Sequence, residues 1–247
     1  MNAPIDWYKS FFTGFAVEMW LKAMPPEATA REVEFLRAKL QVAPPAKLLD
    51  VPCGGGRHSI ALANAGFCMT SVDISAEFLH AAKNACPTND WQHREMIDLP
   101  WPNTFDGAFC FGNSFGYLPD ADNARFLRAV AAALKPGARF VLDYPVALEN
   151  LLSVFHAKST HQMCDLHYER NGRYDPASGR IVVEHSMRRG EREERKVMSQ
   201  RAYTCREVCE LLTSAGFTNV QVFGGLNDEP FELGAKAFVV VAIKAPG

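Results

Sequence analysis

The 247 residues are enough to bury one sizeable core carrying an elaboration. With 48% hydrophobic residues and a formal charge of −2, the chain lacks the global basic excess that nucleic-acid binding usually requires, so small or neutral partners are favoured. No stretch of about twenty apolar residues occurs, and the opening "MNAPIDWYKSFFTGF" is not built like a secretory signal, so no membrane association and a cytoplasmic location are expected.

After an aromatic N-terminal segment, Thr29-x-x-Glu32 reads as a capping box ahead of Val33, Leu36 and Leu40 at helical spacing, in a helix that ends near Pro44-Pro45. Leu48 to Val51 read as a short buried strand, Ser59 to Ala65 as a helix, Cys68 to Val72 as a strand, and Ala76 to Cys86 as a helix closed by Pro87. The pattern repeats with strands at about Gln92 to Glu95 and Gly107 to Phe111, a helix from Asn123 to Leu134, and a strand Arg139 to Leu142. Such alternation predicts a parallel sheet with helices on both faces.

Between about Phe155 and Arg201 the rhythm changes. Turn signals at Asn171-Gly172, Asp175 to Gly179 and Arg189-Gly190 punctuate β-rich runs such as "RIVVEHSM", predicting an antiparallel hairpin insertion with the charge run "RRGEREERK" at a solvated tip. Thr204-x-x-Glu207 is a second capping box, opening a helix that Gly216 closes. Strands at Asn219 to Val222 and Ala237 to Ile243 have no helix between them, so the last is placed antiparallel at the end of the sheet.

Seven scattered cysteines, an odd number, argue for reduced thiols over a disulfide framework. His161, Cys164 and His167 match no common zinc spacing and lack a second ligand pair, so no metal is expected. Cys205 and Cys209, one helical turn apart, read as packing.

The stretch "KLLDVPCGGGRHSIALANAG" carries the chemistry. A strand that ends in glycines and feeds a helix brings backbone close to a ligand at the carboxyl edge of a parallel sheet. Asp73 ends the next strand, where a carboxylate can accept both hydrogen bonds of a ribose diol. Gly54-x-Gly56-x-x-Ser59 approximates a dinucleotide fingerprint, but Asp50, just before the glycines, would oppose a pyrophosphate and suits a ligand bearing an ammonium group. S-adenosylmethionine is such a ligand.

The motifs "LLDVPCGGGRHS", "TSVDIS", "REMIDLPWPNTFDGAFCFGNSFGYL", "LKPGARFVLD" and "AYTCREVCELLTSAGF" together resemble the class I S-adenosylmethionine-dependent methyltransferases over nearly the whole chain. The resemblance implies a Rossmann-like, seven-stranded, mostly parallel sheet with helices on both faces. It implies one domain, residues 1–247, with a helical lid over 1–45 and a β insertion over 155–201 capping the acceptor site. By the same resemblance, the backbone of Cys53, Gly54 and Gly56 lies against the methionyl part, Asp73 holds the ribose, and Ile74, Glu95 and Met96 surround the adenine. Phe111, Gly112 and Asn113 then form the loop that meets the methionyl amino group. Two departures stand out: Pro52 occupies a position where the family commonly has glycine, and Glu95 one where aspartate is usual.

A sulfonium methyl is already electrophilic, so transfer needs mainly an aligned acceptor and the exclusion of water. Aromatic side chains serve both needs. The expected acceptor-side residues are Tyr8 and Phe12 in the N-terminal segment, Phe115 and Tyr117, Tyr144, and His185 with Met187 on the insertion. Phe11, Phe12 and Phe15 read equally as an amphipathic helix seated on the core. No general base is assigned. The expected reaction is methyl transfer to a nitrogen or oxygen of a small molecule, and the protein is compatible with an oligomer. A protein or tRNA acceptor, and a dinucleotide-dependent oxidoreductase, are the alternative readings.

Overall fold

The computed structural model describes residues 3–163 and 165–246. Three helices come first: α1 (Tyr8–Phe11), α2 (Phe15–Lys22) and α3 (Pro26–Leu40). The expected capping box at Thr29 does not form, because Pro26 at the first helical position, with its φ preset, starts α3 four residues earlier than a cap at Thr29 would. Thr29 and Glu32 are thereby left inside the helix, free to serve the site. The alternation then runs β1 (Lys47–Asp50), α4 (Arg57–Asn64), β2 (Cys68–Asp73), α5 (Ala76–Ala85), β3 (Asp90–His93), β4 (Phe105–Cys110), α6 (Asp120–Ala133) and β5 (Leu134–Asp143). After α7 (Leu148–Val154) come β6 (Lys158–Met163), β7 (Leu166–Asp175), β8 (Arg180–Arg189) and β9 (Arg192–Arg201), then α8 (Cys205–Ser214), β10 (Phe217–Phe223) and β11 (Val239–Lys244).

Seven strands form one sheet in the order β10-β11-β5-β4-β1-β2-β3, in which β11 alone runs against its neighbours. Its strands are apolar on both faces, as sheets covered by helices on each side require. Leu48, Phe109, Val141 and Val241 pack under Phe35, Leu36 and Leu62 of α3 and α4. Leu49, Phe140, Leu142 and Val240 face Phe126, Val130, Val208 and Leu212 of α6 and α8. The order reverses between β1 and β4, so their carboxyl ends open a crevice at the topological switch point. The capping box at Thr204 and Glu207 forms in full.

The insertion is larger than one hairpin. β6 to β9 make a four-stranded antiparallel meander. Its charged tip is not simply solvated: Arg189 pairs with Glu18 at 2.7 Å and with Asp165 at 2.7 Å, and its guanidinium lies 4.9 Å from the centre of the Phe15 ring. The run thus seats α2 on the insertion. Cys164 of the queried metal spacing lies outside the described residues.

Candidate functional site

A cavity of about 1040 Å³ opens at the carboxyl edge of the parallel strands. Its inner wall is the turn between β1 and α4. Gly54 has φ +54° and Gly56 φ +77°, conformations that L side chains rarely adopt. A Cβ on Gly54 would meet nothing within 4 Å, so this backbone presents an open face. Gly56 instead passes against Trp91, which a Cβ would meet at 2.3 Å. Gly56 shapes the turn and does not line the cavity.

Three parallel strands, β1, β2 and β5, end in aspartate, and the three carboxylates have different surroundings. Asp73 is held by the backbone N–H of Gly54 at 2.7 Å and of Ser75 at 2.7 Å, and lines the cavity. Burial raises its pKa, against the lowering effect of those hydrogen bonds. Asp50 is tucked beneath the turn, outside the cavity lining. Its Oδ2 accepts from Ser59 at 2.6 Å, its Oδ1 has no partner, and burial pushes its pKa up to about 8. Asp143 does line the cavity, beside the loop after β4, where it accepts from the N–H of Gly112 at 3.1 Å. Burial raises it to about 7. The sequence reading used two of these carboxylates and passed over Asp143, although it ends "LKPGARFVLD" in the same strand-end position.

A second cluster was not legible locally. Glu32, brought in by α3, accepts from Arg57 and lies 2.8 Å from His58 Nε2, while Arg57 also donates to Thr29 at 3.0 Å. The hydrogen bonds from His58 and Arg57 outweigh burial and hold Glu32 below its usual range. Burial in turn lowers His58, so the imidazole stands neutral beside an ionised carboxylate. All three residues line the cavity.

Of the remaining expected residues, Cys53, Ile74, Glu95, Met96, Phe111, Gly112 and Asn113 line the cavity with Tyr8, Phe12, Tyr117 and His185. Glu95 and Met96 do so from the loop after β3, since that strand ends at His93; Glu95 is paired with Lys9 of α1 at 2.8 Å. Phe115, Tyr144 and Met187 do not reach the cavity. Phe115 and Tyr144 pack against each other and Tyr203 in the core, and the Tyr144 hydroxyl is used by the Arg201 carbonyl and the Tyr203 N–H. Met187 lies nearer the turn of its hairpin than His185 does and is buried among Phe11, Phe15 and Met19. Ile181, Val183, His185 and Met187 share the inward face of β8, and the N-terminal helices cover its Met187 end.

The insertion and the N-terminal segment are fastened to this site. Gln200 of β9 donates to the Asn113 side chain at 2.9 Å, to its carbonyl at 3.2 Å and to the Phe115 carbonyl at 2.7 Å. Lys196 holds the carbonyls of Phe11 and Thr13, each at 2.6 Å, and Ser75 donates to the Phe12 carbonyl at 2.7 Å. Among the described residues no group of three or more His, Cys, Asp or Glu is placed to hold a metal.

Comparison with known proteins agrees with this geometry. Residues 48–137, from β1 to the start of β5, match the family model described as a methyltransferase domain. Glycine N-methyltransferase of Rattus norvegicus is 34% identical over 116 residues, 40% of each chain. The glycine/sarcosine N-methyltransferase of Aphanothece halophytica is 30% identical over 171 residues, 64% of this chain and 63% of that one. The chain thus spans less than two thirds of these relatives. A solved S-adenosylmethionine-dependent methyltransferase from Clostridium acetobutylicum superposes with a TM-score of 0.80 over 93% of this chain and 96% of its own, at 16% identity, which is a likeness of fold. Residues 48–137 thus form a methyltransferase domain, and over nearly its whole length the chain has the fold of the class I S-adenosylmethionine-dependent methyltransferases.

Proposed function

We propose that the protein transfers the methyl group of S-adenosylmethionine to a nitrogen of a small molecule. The observation that carries this reading is the continuity of the cavity. Its inner wall is the glycine turn with Asp73, Asp143 and Glu32, and its outer wall is the insertion, with Tyr168, Ile181, Val183 and His185. One enclosure joins the two, roofed by Phe12, Trp20 and Leu21 of the N-terminal segment. Such a space suits a cofactor beside a small acceptor better than it suits a macromolecule. A nitrogen acceptor is supported by the activities named for the glycine and glycine/sarcosine N-methyltransferases among the sequence relatives.

The residues present fit the cofactor. The open backbone at Gly54 would allow close approach, Asp73 would hold the ribose diol, Ile74 and Met96 the adenine, and Asp143 the ammonium group. When bound, the cofactor supplies an electrophilic methyl on a sulfonium. The chain's part is then to align the acceptor and exclude water, through Phe12, Phe111 and Tyr117 and the two covering elements. In this reading residues 1–45 act as a lid and 155–201 as the acceptor-side cap. The six free cysteines among the described residues support a reducing, cytoplasmic setting. Incubation with isotopically labelled methyl donor and a metabolite extract tests the proposal. A labelled small amine that disappears with Asp73→Ala is expected; cofactor binding with no labelled acceptor would overturn it.

A further inference from the structure

Resting on that assignment of the outer wall to the acceptor, we propose that the wall recognises an anionic oxygen group, a carboxylate above all, on the acceptor amine, with Arg170 and His185 as paired donors. The two residues lie directly opposite each other on β7 and β8, and both line the cavity. Cross-strand partners on one face have Cβ atoms about 5 Å apart, so the two side chains serve one ligand group.

His185 is 4% exposed, with Nε2 buried and unpartnered. Its other nitrogen, Nδ1, lies 2.8 Å from the Tyr168 hydroxyl, while the ring is stacked on Tyr168 and set edge-on to Phe11. Counting protons fixes the tautomer. Tyr168 has one hydroxyl proton, and His185 is its hydrogen-bond partner among the described residues. Given to Nδ1, that proton satisfies the phenol and places the imidazole N–H on Nε2. The reverse arrangement would strand both the phenol proton and the Nε2 lone pair. A buried N–H without an acceptor is unfavourable, so the missing partner is an acceptor atom. Burial, with the charge of Arg170, keeps this imidazole neutral, with a pKa near 4. It therefore offers a fixed N–H at neutral pH.

Arg170 completes the pair. Of the charged groups that line the cavity, Glu32, Arg57, Asp73, Glu95 and Asp143 belong to the glycine-turn side, and Arg170 is the one on the insertion among the described residues. No carboxylate among those residues pairs with it. A guanidinium fork with a neighbouring N–H suits a planar carboxylate held bidentately.

The test uses the full chain saturated with S-adenosylhomocysteine and titrated with acetate, together with methyl-transfer rates on amino acids matched with their own amides. Acetate is expected to bind the parent, about tenfold more weakly to Arg170→Gln and several-fold more weakly to His185→Phe, whereas His185→Gln, which keeps a donor, stays within about threefold. S-adenosylhomocysteine affinity should stay within about twofold throughout. If Arg170→Gln does not fold, Arg170→Lys, which keeps the charge and loses the fork, takes its place with an intermediate loss. Acetate binding that survives both Arg170→Gln and His185→Phe, no acetate binding to the parent, or amides methylated as fast as acids, overturns the inference. Acetate binding that depends on Arg170, with no amine methylated, keeps the carboxylate site at Arg170 and His185 but overturns both its service to an acceptor amine and the functional reading.

Discussion

Asp73→Ala tests most directly whether the inner wall of the cavity holds the cofactor. Each carboxylate oxygen already accepts one backbone N–H, from Gly54 or Ser75, and keeps a second lone pair for a ribose hydroxyl. Hydrogen bonds to an ionised group contribute about 1.5–3 kcal/mol each, so two are worth about 3–6 kcal/mol. Water entering the vacated space restores part of that, leaving a net loss of about 2–4 kcal/mol, or roughly 30- to 1,000-fold in Kd. The same substitution strips the Gly54 and Ser75 amides of their acceptor and lowers fold stability by about 1–3 kcal/mol for each buried N–H. Asp73→Asn separates the two effects. It keeps the volume and one acceptor oxygen, so it should fall between parent and Ala in affinity with a smaller loss in melting temperature. Calorimetric titration with S-adenosylmethionine, beside thermal melts, reads both. Parent-like affinity in a folded Asp73→Asn and in Asp73→Ala would refute the ribose assignment.

Asp50, raised to about 8 by burial, holds its proton in the folded state long after the unfolded chain has lost it. Its contribution is full below the unfolded carboxylate pKa near 4 and is lost as pH rises to about 8. Asp50→Asn should therefore lose about 1.4 kcal/mol less stability per pH unit across that window than the parent, measured by urea melts at several pH values; parallel curves would contradict this. Asp143, at about 7, has the same sign in the free protein, but an ammonium group in the cavity favours its ionised form. Cofactor binding should tighten as pH rises through 7 and release a proton detectable by calorimetry in buffers of different ionisation heat, and Asp143→Asn should abolish both effects; a pH dependence unchanged in the variant would exclude Asp143 as the partner. Gln200→Leu leaves the Asn113 and Phe115 acceptors unmet, so a loss of about 1–3 kcal/mol in stability is expected with a raised cofactor KM, and an unchanged KM would show that the insertion does not hold the loop after β4.

Much of this protein was legible in order along the chain. The alternation of apolar runs with capped helices set a parallel sheet with helices on both faces, because a strand covered on both faces must be apolar throughout and a helix must be punctuated at its ends, and the family resemblance implied its seven strands. The glycine turn and Asp73 were readable for a related reason: strand-end position and spacing alone place them at the carboxyl edge. What spacing could not supply was contact between distant segments. Glu32 read as part of a helix cap until Pro26 moved the helix start and carried Glu32 to His58, 26 residues away. Phe115 and Tyr144 look as fit for an aromatic wall as Tyr117 does, yet only packing against Tyr203 reveals them as core.

The sequence by itself therefore determined the alternation of strands and helices outside the insertion and the position of the glycine turn, since both depend on local periodicity and on short-range turn chemistry. The tertiary structure decided which side chains share the cavity. Asp50 fell beneath the turn and Asp143 came beside it, while Arg170 and His185 met across two strands of the insertion. That outcome depends on how two sheets and an N-terminal segment close on one another. The contacts involved join residues far apart in the chain, so no local pattern can encode them.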